Sequence, residues 1–261
     1  MVLLKRLLDF YISTSIHVAV AVSSLVQVTK ISLNITTNYG LDCFVFFGTI
    51  VGYNFLKYYQ VFWDKVFSFN KNYSIVLVSF LAVFGALIFY LNLESELQIM
   101  FLKIAFLVII YPFIRKFALL KMVFVSFCLT LITVYVLQLH QILNFNYLSQ
   151  RFLIVFCLLI PLEICDISFD AKTIKTLPQI IGVKNLKILG YFLLIVVTGL
   201  NYFSNNNSTF GFLNFSLTIL ITLIIAGFIF FSDDNRSKYY TSFWVESLPV
   251  LWWFLLFLFK Y

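Results

Sequence analysis

At 261 residues, 62% hydrophobic and only 11% charged, the chain excludes an ordinary soluble domain, where about a quarter of residues carry charge. Its formal charge of +7 is no nucleic-acid footprint, because the basic residues sit in short links between apolar runs rather than in one patch or stripe. A bilayer-spanning helix needs about 20 apolar residues, and runs of that kind recur along the whole chain.

Nine spans are predicted, at 10–29, 38–57, 73–93, 98–113, 119–139, 148–166, 185–203, 210–231 and 241–259. The links are too short for a separate soluble domain, so the expected fold class is all-α integral membrane, one transmembrane domain over 1–261. With the N-terminus inside, fourteen basic residues fall on the inner side: Lys5, Arg6, Lys57, Lys65, Lys71, Arg115, Lys116, Lys121, Lys172, Lys175, Lys184, Lys187, Arg236 and Lys238. Only Lys30, Lys103, Arg151 and Lys260 fall on the outer side and its helix ends. That bias sets a cytoplasmic N-terminus, an outer C-terminus and an odd number of crossings.

The first span follows Lys5 and Arg6, and Ala19-Val20-Ala21 has the form of a signal-peptide cleavage site. The apolar run continues past it, and removal would spoil the charge alternation of later loops, so the span is expected to stay. His17 within it has no partner at ligand spacing and reads as structural, as does His140 at the far end of span five. Span two leads into the polar stretch GYNFLKYYQVFWDKVFSFNKN, which carries Asn54 and Lys57. Between spans four and five stand Arg115, Lys116 and Lys121, suited to anionic headgroups or to a substrate diphosphate. Pro112 and Pro161 are expected to bend spans four and six.

Span six ends in EICDISFDAKTIKTLPQIIG, residues 163–182. On a continuous helix Glu163, Asp166 and Asp170 would project within about a 60° arc. Like charges so placed repel one another, and acids at a helix C-terminus oppose its dipole. A cation must compensate. Lys172 and Lys175 can neutralise the cluster, or two of the carboxylates can hold magnesium, a hard ion that completes its shell with substrate phosphates. Spacing does not choose between these.

Spans one to four and five to eight also divide into halves whose second helix closes on a polar inner loop, with span nine outside the repeat. Near the start of span nine stands Glu246, for which Arg236 and Lys238 are the expected partners. Asp233 and Asp234 read as a solvated loop. Cys43, Cys128, Cys157 and Cys165 lack metal or redox spacing and read as small buried residues.

The run D-x-x-x-D, a lysine, T-L-P and a glycine (Asp166, Asp170, Lys175, Thr176-Leu177-Pro178, Gly182) resembles the second aspartate motif of the UbiA-type intramembrane prenyltransferases. The resemblance implies a nine-transmembrane-helix UbiA-like bundle, a magnesium cofactor, and a prenyl diphosphate that loses pyrophosphate to alkylate a lipophilic acceptor. It makes Asp166 and Asp170 metal ligands, with Glu163 beside them, and Asp166, Asp170 and Lys57 the catalytic set. Asn54, Lys172, Lys175, Arg115 and Lys121 become substrate contacts. The family's first motif, N-D-x-x-D, is met here by Asn54 alone, since Phe55 and Tyr58 stand at the acid positions. Either Lys57 takes over as a point charge on phosphate, or the chain keeps the fold to bind isoprenoid lipid or a membrane partner without catalysis. A secondary transporter ranks behind both, because transporter sites lie near mid-bilayer. The expected location is a bacterial inner (plasma) membrane, with lipid as partner and no nucleic acid.

Overall fold

The computed structural model describes residues 2–36, 38–63, 69–167, 176–204 and 209–260. All regular structure among them is helical: α1 (Val2–Ser13), α2 (Ile16–Leu33), α3 (Tyr39–Trp63), α4 (Phe69–Leu91), α5 (Ser95–Ile114), α6 (Ala118–Thr130), α7 (Phe145–Cys165), α8 (Leu177–Ile181), α9 (Val183–Ser204), α10 (Thr209–Phe231) and α11 (Leu248–Lys260). α6 continues through a π-helical turn, Leu131–Tyr135, and a 3₁₀ turn, Val136–Gln138, while a second π-helical turn, Tyr240–Val245, leads into α11.

Nine segments among the described residues are long and apolar enough to cross a bilayer: Ile16–Leu33, Tyr39–Tyr59, Tyr73–Leu91, Ser95–Ile114, Ala118–Gln138, Phe145–Cys165, Val183–Phe203, Gly211–Phe231 and Tyr240–Lys260. They coincide with the nine predicted spans to within a few residues and make this an integral membrane protein. The largest difference is at the first, expected from residue 10. Two hydroxyl residues explain it. Thr14 Oγ1 bonds back to the Phe10 carbonyl at 2.8 Å, and Ser15 turns to a left-handed φ of 63°. That backbone breaks the helix. α1 is therefore a separate, amphipathic helix with Leu3, Leu4, Leu7 and Phe10 on its exposed side.

Helices α2 and α7 are the most enclosed and organise the bundle. A large core gathers Leu25, Val28 and Ile31 of α2 with side chains of α6 to α11, among them Met122, Ile160, Leu186, Ile225 and Trp252. A smaller one packs the same α2, through Val22 and Val26, against Leu41 and Val45 of α3 and Phe101 and Ile104 of α5. α11 packs beside α2, so the last helix closes against the first span. α4 and α5 lie outermost and present Phe80, Phe84, Phe106 and Phe113 outward, the composition a lipid-facing surface requires.

Lipid is as apolar as these cores, so the helices associate through close packing and a few polar ties rather than by escape from water. At Gly85 of α4 an added Cβ would lie 2.9–3.1 Å from three ring atoms of Phe47 in α3. A rigid ring cannot yield as a flexible side-chain end would. Gly85→Ala is expected to cost about 1–3 kcal/mol through overpacking, read as a lower unfolding temperature in detergent. An unchanged temperature would show that the α3–α4 contact has slack.

Arg151 stands toward the outer end of α7, as expected, but it does not reach the surface. Six residues into α7, it is 1% exposed and turned inward, bonding the Leu25 carbonyl at 3.2 Å, Thr29 Oγ1 at 3.1 Å and the Tyr147 hydroxyl at 3.0 Å. The rings of Trp252 and Tyr147 cover the guanidinium at 5.1 and 5.6 Å. A charge at that depth must face the bundle rather than lipid.

Candidate functional site

Site geometry begins with how α7 ends. α7 stops at Cys165, and Asp166 is already its C-cap, with φ −84° and ψ −3°. The continuous helical arc expected for Glu163, Asp166 and Asp170 is thus not realised between the first two. Glu163 is buried at 5% exposure and takes Lys121 Nζ at 2.6 Å, whereas Asp166 is exposed. Glu163 is engaged with a lysine from α6, and Lys121 balances that buried carboxylate, beside the metal and substrate roles expected of the two. Burial drives the pairing, since an acid in the bundle interior must be neutralised locally. Asp170, Lys172 and Lys175 lie outside the described residues.

After the acids, α8 starts at the T-L-P of the motif, with Thr176 as its N-cap. Gln179 Oε1 accepts the Thr176 amide at 3.0 Å, and Pro178 sits in the first turn, where its missing N–H costs nothing. Gly182 ends α8 at φ +87°, a backbone any other residue would strain to adopt, and its carbonyl starts α9 by accepting the Leu186 amide at 3.1 Å.

Opposite stands α3. Asn54 is buried and fully engaged: Ser15 Oγ donates to its Oδ1, while its Nδ2 donates to the Thr14 carbonyl at 3.2 Å and to Ser79 Oγ at 2.9 Å. Its amide locks the break between α1 and α2, a structural task beside the substrate contact expected from the motif. Lys57 donates to the Ile12 carbonyl at 3.1 Å. Tyr58, at a missing acid position, donates to the Ser13 carbonyl at 2.7 Å, and Phe55, at the other, is exposed. Arg115 is half-buried at the α5–α6 link, its amide bonded to the Tyr111 carbonyl at 2.9 Å.

What joins these elements is Glu246. Its carboxylate interacts electrostatically with Tyr53 and Lys57 of α3 and with Asp166. Tyr53 also feels Asp166 and Tyr111 of α5. His17 Nε2 lies 3.7 Å from Glu246 Oε2. Lys57 and Asp166 thus each interact with Glu246, an acid that nothing in the motif names. The expected pairing of Glu246 with Arg236 is replaced, because Arg236 donates to the Phe231 carbonyl at 2.8 Å and stacks on Tyr240 at 5.4 Å. His17, read as partnerless, is part of the cluster. Tyr53 was missed altogether: one residue before Asn54, it is hidden in an aromatic-rich run.

Nearby, Asp233 and Asp234 are exposed on the loop after α10. The hydrogen bond between their side chains holds Asp233 below the usual carboxylate range and pushes Asp234 above it. Asn235 Nδ2 completes the loop by donating to Asp234 at 3.1 Å. No group of three or more His, Cys, Asp or Glu side chains gathers as a metal site among the described residues. The fit of a cation therefore turns on Asp166, whose exposed carboxylate has the oxygen chemistry of a hard divalent ion.

Comparison with known proteins adds a fold. No family model matches the sequence, and no curated protein does. Among solved structures, a UbiA homolog from Archaeoglobus fulgidus bound to GPP and Mg²⁺ superposes with a TM-score of 0.70 at 14% identity, over 96% of this chain and 98% of that one. A UbiA homolog from Archaeoglobus fulgidus bound to DMAPP and Mg²⁺ gives the same values. A third structure of a UbiA homolog from that organism gives 0.68 at 16% identity over 95% and 98%. The chain thus has the UbiA-type fold, an all-helical intramembrane bundle with nine apolar spans among its described residues.

Proposed function

We infer that this chain is a divergent intramembrane prenyltransferase of the UbiA type, in the plasma membrane of a bacterium, with the Asp166 end of the bundle facing the cytoplasm. The observation that carries the reading is a UbiA-type bundle in which Glu246 interacts electrostatically with both Lys57 and Asp166. The positive charge of Lys5, Arg6, Arg115, Lys116, Lys184 and Lys187 falls at that end, which supports the orientation.

In this reading the donor is a prenyl diphosphate with its tail among the aromatic spans and its diphosphate at Asp166. The allylic C–O bond breaks with its electrons going to pyrophosphate. A nucleophilic atom of the lipophilic acceptor bonds the allylic carbon, and the acceptor then releases a proton. Asp166 and Asp170 would hold magnesium, which when bound spreads the charge of the leaving diphosphate. Lys57 supplies a fixed positive charge where the family's first-motif acids are missing, and Arg115, Lys172 and Lys175 are the further phosphate contacts.

The test is release of pyrophosphate from GPP and from DMAPP by the purified chain. Release that needs magnesium and stops with a chelator is expected; none with either donor, with or without magnesium, overturns the reading. A second reading, a non-catalytic binder of isoprenoid lipid, is favoured by Tyr58, whose hydroxyl is committed to the Ser13 carbonyl at the place of a missing acid. Binding of a prenyl lipid without pyrophosphate release would decide for it.

A further inference from the structure

We propose that the outward face of α5 around Lys103 is a binding site for an anionic phospholipid, with the lysine on the lipid's phosphodiester and one acyl chain in the groove beside it. The site stands independently of the transfer reading.

Lys103 is the ninth residue of a twenty-residue helix, and it is exposed. At 1.5 Å per residue it stands about 12 Å from the start of the span. Its outward neighbours on α5 are apolar, and Ile99, Leu102, Phe106, Ile109 and Phe113 are each more than half exposed. Lipid accepts such side chains, but a lysine among them is another matter. Ionisable residues at membrane depth turn to the bundle or to a partner. Four other lysines of the spans obey that rule. Lys30 pairs with Asp42 at 2.7 Å and Lys121 with Glu163 at 2.6 Å. Lys57 donates to the Ile12 carbonyl at 3.1 Å, and Lys187 to the Phe230 and Ser232 carbonyls at 2.9 and 2.8 Å. Lys103 makes no hydrogen bond or ion pair with any described residue. Its partner has to come from outside the chain.

Beside the amine there is room for one. An open groove of about 460 Å³ lies along α5, lined by Ile99, Leu102, Lys103, Phe106 and Leu107. Such a volume falls within the range of small-ligand sites, about 300–1,000 Å³. Ile99 and Leu107 lie four residues before and after the lysine and Phe106 three after, so the cation and the apolar wall share one helix face.

Helix geometry selects the occupant. Helical side chains lean toward the N-terminus of their helix, which carries the Lys103 amine toward Ser95 and the headgroup layer at that end. Glu94 and Glu96, both exposed, mark where water begins there. The amine thus meets a headgroup phosphate from the hydrocarbon side, while Phe106 and Leu107 are left to an acyl chain running toward the middle of the bundle. A lysine near the membrane surface favours a lipid of net negative charge. A second copy of this chain fits badly. Packing α5 on α5 about an axis normal to the membrane sets two lysines at one depth, and no acid of the described residues is exposed at mid-span to receive either.

The test uses the full-length chain in nanodiscs doped with phosphatidylglycerol carrying a diazirine on one acyl chain, or with the diacylglycerol of the same tail. Adducts are mapped by peptide mass spectrometry, with residues 80–84 of α4, equally open to lipid, as the internal reference. Phosphatidylglycerol should label residues 99–107 at least about fivefold over that reference, the weight of one lysine on an anionic lipid. Diacylglycerol should label the two stretches alike. Lys103→Gln should remove the excess and Lys103→Arg should keep it, both with a native unfolding temperature because the side chain is exposed. Lys184→Gln, at the other end of the bundle, should leave α5 labelling unchanged. Even labelling by phosphatidylglycerol, an excess that survives Lys103→Gln, or an equal loss in the arginine variant overturns the site. A dimer or complex that persists when lipid is stripped and breaks with Lys103→Gln would give this face to a protein partner and overturn it equally. Pyrophosphate release enters none of these outcomes, so either reading can fail without the other.

Discussion

Asp166→Ala should lower magnesium-dependent pyrophosphate release by on the order of 10²-fold or more, with the unfolding temperature unchanged. The two halves of that expectation come from different facts. Asp166 is exposed and caps α7 through its backbone, whose amide bonds the Leu162 carbonyl at 3.0 Å, so truncating the side chain leaves core and cap intact. Its carboxylate, however, is exposed and interacts electrostatically with Glu246 and Tyr53. Loss of a group that stabilises charge only as the C–O bond breaks acts on turnover rather than on folding. Glu163→Gln should behave oppositely. It leaves Lys121 without its 2.6 Å partner inside the bundle and should shift stability more than turnover. Release within about threefold of native for Asp166→Ala would sink the assignment, given that a required charge-stabilising group is worth far more.

Arg151→Ala should destabilise the bundle by about 3 kcal/mol or more, measured as thermal unfolding in detergent. The guanidinium ties α7 to α2 through the Leu25 carbonyl and Thr29 and fills the space between Tyr147 and Trp252. Alanine removes three bonds, two ring contacts and most of the side-chain volume together. Arg151→Met keeps the stem against Trp252 and avoids burying a charge, so it should lose clearly less than alanine. Arg151→Lys keeps the charge without the planar fork and should fare worse than methionine. The reverse order would mean that charge, not packing and shape, is what the site requires. Arg151 lies toward the end of α7 remote from Asp166, so pyrophosphate release at low temperature should survive in whichever variants fold.

Much of the architecture was legible in the sequence for a simple reason: crossing a bilayer is a property of local length and apolarity. Each of the nine expected runs contains a helix in the structure, whereas the short α8 between T-L-P and Gly182 is an addition of the structure. The boundary error at the first span came from a local competitor. Thr14 and Ser15 are unremarkable in an apolar run until their hydroxyls find Phe10 and Asn54. The inward turn of Arg151 and the pairing of Glu163 with Lys121 were hidden for a related reason. Counting charges along a chain sorts them by end of helix, but not by whether a side chain points to lipid, solvent or the bundle.

The candidate site divides along the same line. Composition, run length and the Asp166-to-Gly182 motif were sufficient for a UbiA-type bundle, because each of these is written in contiguous residues. That Lys57, Tyr53, His17 and Glu246 meet could only be decided by tertiary structure. They come from α2, α3 and the turn before α11, and their approach depends on one left-handed serine and one π-helical turn. Neither leaves a periodicity to read, since each is a single departure from helical geometry held in place by contacts with distant segments.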